Sequence, residues 1–397
     1  MWKRFADSLR CPLSGAPLEL VVFQGDLVDL DEQDVLQAER LGIESGSNLR
    51  YRVQEGLLLS PSLAVVYPIA HGLPILLPYE TSLHQHFAST FSHEMAKFRP
   101  KYRFPSAAPF AGETAILKSF NTQWRDYQYD GVVWDISYEA NERRLLSEVG
   151  SVPSNPRAFL EVGCGVGVTT LQAQRCFGVE AVGVDLSLGA MKAQRRFWKN
   201  PLLHFVQASA LQLPFAPESF DIVYSRGVIH HAYSPRHAFL CVSRFCRPGG
   251  RAYVWVYGTG SIDENSFRRV VHALEWCLRP ILSRAPEMFA TVVLAPLTIG
   301  YLLYNRLRFR GNPDVQRYDF RRALHAARDR FTPQYVHRTA SEEVIRWFRE
   351  AGYQEIQLVD WRDMPGVDAD DYRRNVGVRG IRSAQSTETA SGHMRAS

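Results

Sequence analysis

Cysteine is scarce in this chain: six among 397 residues, at Cys11, Cys164, Cys176, Cys241, Cys246 and Cys277, and no two are spaced C-x-x-C. The missing pairs exclude a dithiol redox motif, and a chain this long and core-rich does not need disulfides. Reduced thiols in a cytoplasmic protein are the expectation. An excess of one charge is also small, +5 overall. With 22% charged and 46% hydrophobic residues, the chain is too apolar for disorder and too charged for a bundle of membrane spans. Long hydrophobic runs are few. Met288 to Tyr304 is nearly free of charge, but Pro296 sits in its middle and the run falls short of the ~20 residues that a spanning helix needs. No transmembrane helix is expected there. Residues 1–10 carry Lys3, Arg4 and Asp7 with no apolar stretch behind them, which argues against a secretory signal.

The length suits two or three compact units. Residues 1–80 read as a small β-rich unit, with strands near Leu18 to Phe23, Gln54 to Leu59 and Ala64 to Ile69. Its acidic patch, Asp26, Asp29, Asp31, Glu32 and Asp34, falls in a loop or at a helix start. Residues 81–150 form a connector, broken early by Pro100, Pro105 and Pro109. Its later part is dense in aromatics (Phe120, Trp124, Tyr127, Tyr129, Trp134) and is expected to act as a lid. From Arg157 short apolar runs alternate with longer helical patterns. That alternation predicts an α/β fold, a doubly wound and mostly parallel seven-stranded sheet over 151–384. A helical insertion interrupts it over 262–335, and 385–397 form a frayed tail.

The most informative stretch is AFLEVGCGVGVTT, from Ala158 to Thr170. A buried strand runs into a glycine-rich turn and opens a helix. Gly163, Gly165 and Gly167 let the backbone adopt positive φ and approach a ligand that a Cβ would obstruct. Two details argue against a dinucleotide: Val168 stands where the third glycine of that fingerprint belongs, and Glu161 ends the strand. A carboxylate there repels a pyrophosphate and suits a cationic cofactor. The second strand ends in Asp185, placed to accept from both ribose hydroxyls; the bland alternative is a helix cap.

These residues resemble the class I S-adenosylmethionine (SAM)-dependent methyltransferases. The likeness continues through FVQASALQLPF (205–215), SFDIVYS (219–225), GVIHH (227–231) and RPGG (247–250), so that about 157–258 matches in order. The resemblance implies SAM as cofactor, with Glu161, Gly163, Cys164, Gly165 and Gly167 around the methionine part, Asp185 at the ribose and Leu186 on the adenine. Ser225 is a further candidate on the cofactor wall. One departure stands out: Ser209 replaces the family's aspartate, leaving adenine recognition to Ser209, Ala210 or backbone groups. LRCPLSGAPL (9–18) and VYPIAHGLPILLP (66–78) resemble a small zinc-ribbon-like domain found with methyltransferases. Cys11 remains there, Ser14 replaces its partner, and Ser60 to Ala64 has no cysteine, so no metal is expected. His84, His86 and His93 read as a solvated connector rather than a metal cluster.

Methyl transfer needs alignment of acceptor, methyl and sulfur, plus a base where the acceptor holds a proton. His230 and His231, just past the fourth strand, are the catalytic candidates; the bland reading is a packed loop. Arg226 holds an acidic acceptor or pairs with a local carboxylate. The expected acceptor is a small molecule: a secondary metabolite, sugar derivative or quinone-like compound. Two other readings stay open at this point, a catalytically silent SAM-binding or scaffold protein and an NAD-dependent oxidoreductase. Nucleic acid is not expected, because the arginine cluster from Arg306 to Arg338 lacks an interleaved aromatic platform. Arg306, Arg308 and Arg310 suit a peripheral membrane contact through 288–310.

Overall fold

The computed structural model describes residues 1–127, 132–133, 136–261, 266–311, 314–315, 317–364 and 371–384. Tyr129, Trp134 and the tail 385–397 lie outside these. The N-terminal unit is an antiparallel sheet of β1 (Glu19–Leu27), β2 (Tyr51–Ser60), β3 (Val65–Ala70) and β4 (Leu73–Pro74), in that order. Helices α1 (Glu32–Arg40) and α2 (Ser47–Arg50) join β1 to β2. Asp31 caps α1 by accepting from the Gln33 amide at 2.9 Å. Asp26 is in β1 rather than in a loop, because Arg52 and Gln54 of the neighbouring strand hold its carboxylate. After β4 come α3 (Ser82–Thr90), α4 (Ser92–Ala96) and the longer α5 (Glu113–Asp126), then the hairpin β5 (Val132–Val133) and β6 (Ile136–Ser137), and α6 (Tyr138–Val149).

The principal sheet has seven strands: β7 (Ala158–Val162), β8 (Glu180–Asp185), β9 (Leu203–Gln207), β10 (Phe220–Arg226), β11 (Cys246–Val256), β12 (Tyr353–Leu358) and β13 (Val376–Arg382). Their order is β12-β13-β11-β10-β7-β8-β9, parallel except for β13. The connecting helices are α7 (Val168–Phe177), α8 (Gly189–Phe197) and α9 (Pro235–Ser243), with α13 (Ser341–Glu350) before β12. The expected mostly parallel, doubly wound sheet is present. Its core strands are apolar on both faces, as a sheet covered by helices on both sides requires: every residue of β9 and nearly every residue of β7 and β8 is buried. The chain order reverses between β7 and β10, and a crevice opens there beyond the strands' C-terminal ends.

The N-terminal unit docks on the β9 edge. The Leu76 amide donates to the Gln207 carbonyl at 2.8 Å, extending the hydrogen-bonded edge. Phe5 stacks on His204 at 4.1 Å, and Arg4 and His204 both contact Glu180 at 2.6 Å, which lowers that carboxyl to about 2.

Between β11 and α13 lie α10 (Ser266–Leu282), α11 (Glu287–Arg308) and α12 (Phe320–Phe331). One expectation is corrected here. Met288 to Tyr304 belongs to a helix of 22 residues that runs through Pro296 unbroken. Val292, whose carbonyl loses its helical donor to the proline, is on the exposed side, where water can replace that donor. Residues 287–307 form a helix long and apolar enough, by length and composition, to cross a membrane, the one such helix among the described residues.

Candidate active site

The site is assembled by the ends of β7, β8, β9 and β10. After β7 the chain turns through Gly163 (φ +86°) and Gly165 (φ +50°), where side chains rarely fit. A Cβ on Gly163 would lie 2.0 Å from a Val228 methyl, and one on Gly165 would lie 2.5 Å from the Trp124 ring. The turn is pinned to β8, since the Gly163 and Cys164 amides donate to the Val184 carbonyl at 2.7 and 3.0 Å. Asp185 then braces the turn. It accepts from the Gly165 amide at 2.8 Å, from the Ser187 amide at 2.8 Å and from the Ser187 hydroxyl at 2.6 Å. It is not the N-cap of α8, a position held by Leu188.

These strand ends frame a cavity of about 1370 Å³, counting its open mouth. Glu161, Gly163, Cys164, Gly165, Asp185, Leu186, Ser209, Ala210 and His231 all lie on its wall. Glu161 is buried and accepts from the Thr170 hydroxyl. Burial, with the nearby Asp185 charge opposing ionisation further, pushes its carboxyl up to about 8. Burial also raises Asp185, while its three donors hold it down. The Cys164 thiol is raised well above its ordinary range by burial and by the charges of Asp185 and Glu161.

Three sequence candidates are not on that wall. Gly167 (φ +76°) lies where α7 meets the sheet, and a Cβ there would reach Phe205 and Ala193. The Ser225 hydroxyl donates to the Val162 carbonyl at 3.1 Å and is spent between strands. His230 is fully buried behind the wall, its ring stacked on Tyr257 at 4.1 Å, and among the described residues neither ring nitrogen has a hydrogen-bond partner. His230 is thus not among the residues that line the cavity, which favours the packed-loop reading for it. Arg226 reaches the wall, yet Glu148 at 2.9 Å and Asp371 at 2.7 Å hold its guanidinium, which also lies over Trp255.

His231 is differently placed. Its Nδ1 is 3.0 Å from the Tyr335 carbonyl, which can only accept, so Nδ1 carries the proton and Nε2 the lone pair. Burial keeps the ring below its ordinary pKa and hence neutral.

α5 crosses the cavity. Glu113, Ile116, Phe120 and Trp124, at i, i+3, i+7 and i+11, put one helix face on the wall. Phe120 meets the His231 ring edge-on at 5.2 Å. α5 is tied to α8 by the Leu188 amide donating to Asn121 at 2.8 Å, and by Lys192 donating to the Arg125 and Tyr127 carbonyls. At its other end the Glu113 carboxylate, buried and raised, accepts from the Phe110 amide at 3.3 Å and faces the Ser209 hydroxyl. The sequence reasoning missed Glu113, which was legible as the start of the same helical stripe as Phe120 and Trp124. In the N-terminal unit, Cys11 Sγ lies 3.4 Å from the Tyr67 hydroxyl. The His84 ring takes the Thr81 amide at 3.2 Å. Among the described residues no group of three or more His, Cys, Asp or Glu is placed to hold a metal.

Sheet order, glycine turn and acid-tipped strands together define a Rossmann-like nucleoside-binding domain. Residues 160–254 match the family model described as Methyltransferase domain. An O-methyltransferase of Penicillium expansum is 30% identical over 117 residues, which cover 28% of this chain and 42% of that protein. A demethylmenaquinone methyltransferase of Renibacterium salmoninarum is 32% identical over 112 residues, covering 28% and 45%. The chain thus spans less than half the length of these curated relatives. Among solved structures, phosphoethanolamine N-methyltransferase 2 of Haemonchus contortus, in complex with phosphomonomethylethanolamine and S-adenosylhomocysteine, aligns with a TM-score of 0.43 at 17% identity, covering 71% of this chain and 62% of that one. Over residues 160–254 the chain is similar to a methyltransferase domain, a family whose cofactor is SAM. The residues present fit that group: two glycines in positive-φ turns and two buried acids share the wall of one cavity.

Proposed function

We propose that this protein transfers a methyl group from SAM to a small molecule that presents a hydroxyl or phenol on an apolar body. The observation that carries this reading is the pair of buried carboxylates, Glu161 and Asp185, at the tips of adjacent strands beside the glycine turn. Two acids oppose a pyrophosphate, and a positively charged sulfonium nucleoside compensates them.

Bound there, SAM supplies an electrophilic methyl group on a sulfonium. Glu161 accepts from the ammonium of the methionine part, and the Asp185 oxygens with a lone pair remaining accept from the ribose. Leu186 packs on the adenine. Glu113 would supply, for the adenine amino group, the carboxylate that Ser209 lacks. Trp124 and Phe120 close over the cradle and exclude water, the lid role. The acceptor lies along Ile116, Phe120, Val228, Ile229 and Tyr233, an apolar wall that favours a greasy body. With SAM bound, His231 Nε2 would take the acceptor proton as the oxygen forms its bond to the methyl carbon and the carbon–sulfur bond breaks, releasing neutral S-adenosylhomocysteine. The N-terminal sheet braces the β9 edge.

Calorimetry with SAM, S-adenosylhomocysteine and NAD tests the first half. Micromolar binding of the two sulfur nucleosides without NAD binding is expected; NAD binding alone would refute the assignment. Tritium transfer from methyl-labelled SAM to a panel of phenols and quinols tests the second half.

A further inference from the structure

α10 and α11 turn apolar side chains outward. Trp276 and Met288 are each 80% exposed, Leu307 76% and Val292 67%. Phe289, Ile299 and Leu303 continue the face along α11, each more than half exposed. The opposite face is committed to the interior, where Leu282, Ala290 and Leu294 pack with Phe331 of α12. Water-soluble proteins rarely leave so much contiguous apolar surface uncovered.

The charges on this surface have one sign. Between residues 269 and 310 there are two acids. Glu275 is buried beneath Arg279, Arg330 and Arg338, and Glu287 pairs with Arg125 and Arg328. Arg269, Arg284, Arg306 and Arg310 are exposed. An apolar face rimmed by guanidiniums is complementary to acyl chains bordered by anionic headgroups, with arginine stems lying along the apolar layer and their heads in the phosphate layer.

α11 does not span in this arrangement. Leu294, Thr298 and Asn305 are buried in the protein, and Arg328 of α12 donates to Thr291 at 2.8 Å while pairing with Asp126 at 2.7 Å. Threading α11 through a bilayer would strip those groups of their partners at a cost that the apolar face does not offset.

We propose that the outward faces of α10 and α11 form a docking surface for an anionic lipid bilayer, lying in its interface. The proposal stands apart from the methyl-transfer reading, since none of these side chains lines the cavity. The test is co-sedimentation of the full chain with phosphatidylglycerol-containing vesicles and with phosphatidylcholine vesicles, alongside light scattering without lipid. Binding to the anionic vesicles that weakens with salt is expected. The double variant Trp276→Glu with Val292→Glu should lose at least about tenfold in partitioning, and Arg306→Gln with Arg310→Gln should lose the preference for anionic lipid. Both variants change exposed positions, and circular dichroism with SAM binding checks that they fold. Wild type remaining in the supernatant with both lipids would overturn the proposal. So would a dimer in solution that the double glutamate variant dissociates, because a second copy would then cover this face.

Discussion

Glu161 offers a quantitative test of the cofactor site. Its carboxyl sits at about 8 without cofactor, raised by burial and by Asp185, so near neutral pH it holds a proton that a bound ammonium would displace. Affinity for SAM should therefore rise with pH. With a pKa of about 8 in the free protein and an ionised carboxylate in the complex, the deprotonation penalty is ~2.7 kcal/mol at pH 6 and ~1.4 at pH 7. The dissociation constant should drop about ninefold between these values, with close to one proton released per SAM bound. Calorimetry in two buffers of different ionisation enthalpy reads both quantities. Glu161→Gln, the isostere of the protonated acid, should bind at the weak acid-limb level whatever the pH. S-adenosylhomocysteine, which keeps the ammonium without the sulfonium, should follow the same slope. The sign is the same for folding. The folded pKa lies above the unfolded 4.5, so the folded chain binds the extra proton, and cofactor-free stability falls as pH climbs from about 4.5 towards 8, by at most ~1.4 kcal/mol per unit. An affinity that is flat from pH 6 to 7, without proton release, would refute the reasoning.

Three other expectations follow from the same geometry. Gly165→Ala should weaken SAM binding by roughly 1–3 kcal/mol, from positive-φ strain and collision with Trp124. Adding Trp124→Ala should recover part of that loss but not the strain, which a double-mutant cycle by calorimetry resolves. His231→Ala should cut the turnover of a phenolic acceptor by about 10²–10⁴ while leaving SAM affinity within about threefold; His230→Ala should instead lower thermal stability, measured by calorimetric scan. Glu113→Gln should reduce discrimination between S-adenosylhomocysteine and its inosine analogue, whose ring carries an oxygen in place of the amino group, by about 1–3 kcal/mol. Unchanged discrimination would assign Glu113 to packing alone.

Much of the site was legible because its residues are close in sequence. Glu161, Gly163, Cys164 and Gly165 fall on one strand and its turn, and Asp185 and Leu186 end the next. A parallel sheet carries such strand ends to one edge, so spacing alone locates them. Gly167 and Ser225 lie off the cavity wall, a distinction that motif spacing does not make, because it covers both wall residues and residues that hold the turn together. His230 and His231 could not be told apart by sequence: consecutive residues in a one-turn helix point differently, and only packing puts one ring against Tyr257 and the other on the cavity. The helical run through Pro296 was hidden for a similar reason, since intrinsic propensity places a break there while burial of the opposite face against α12 keeps the helix whole.

The sequence by itself determined the sheet's strands, the glycine turn and the two acids at its edge, because periodicity, glycine and chain polarity act over a few residues. Only the tertiary structure decided what lies over that edge: that α5 crosses it, that Glu113 faces Ser209 across about a hundred residues of chain, and that Arg226 is spent on Glu148 and Asp371. Those contacts join segments far apart in sequence, and their free energy comes from burial and charge pairing that exist only once the layers have packed.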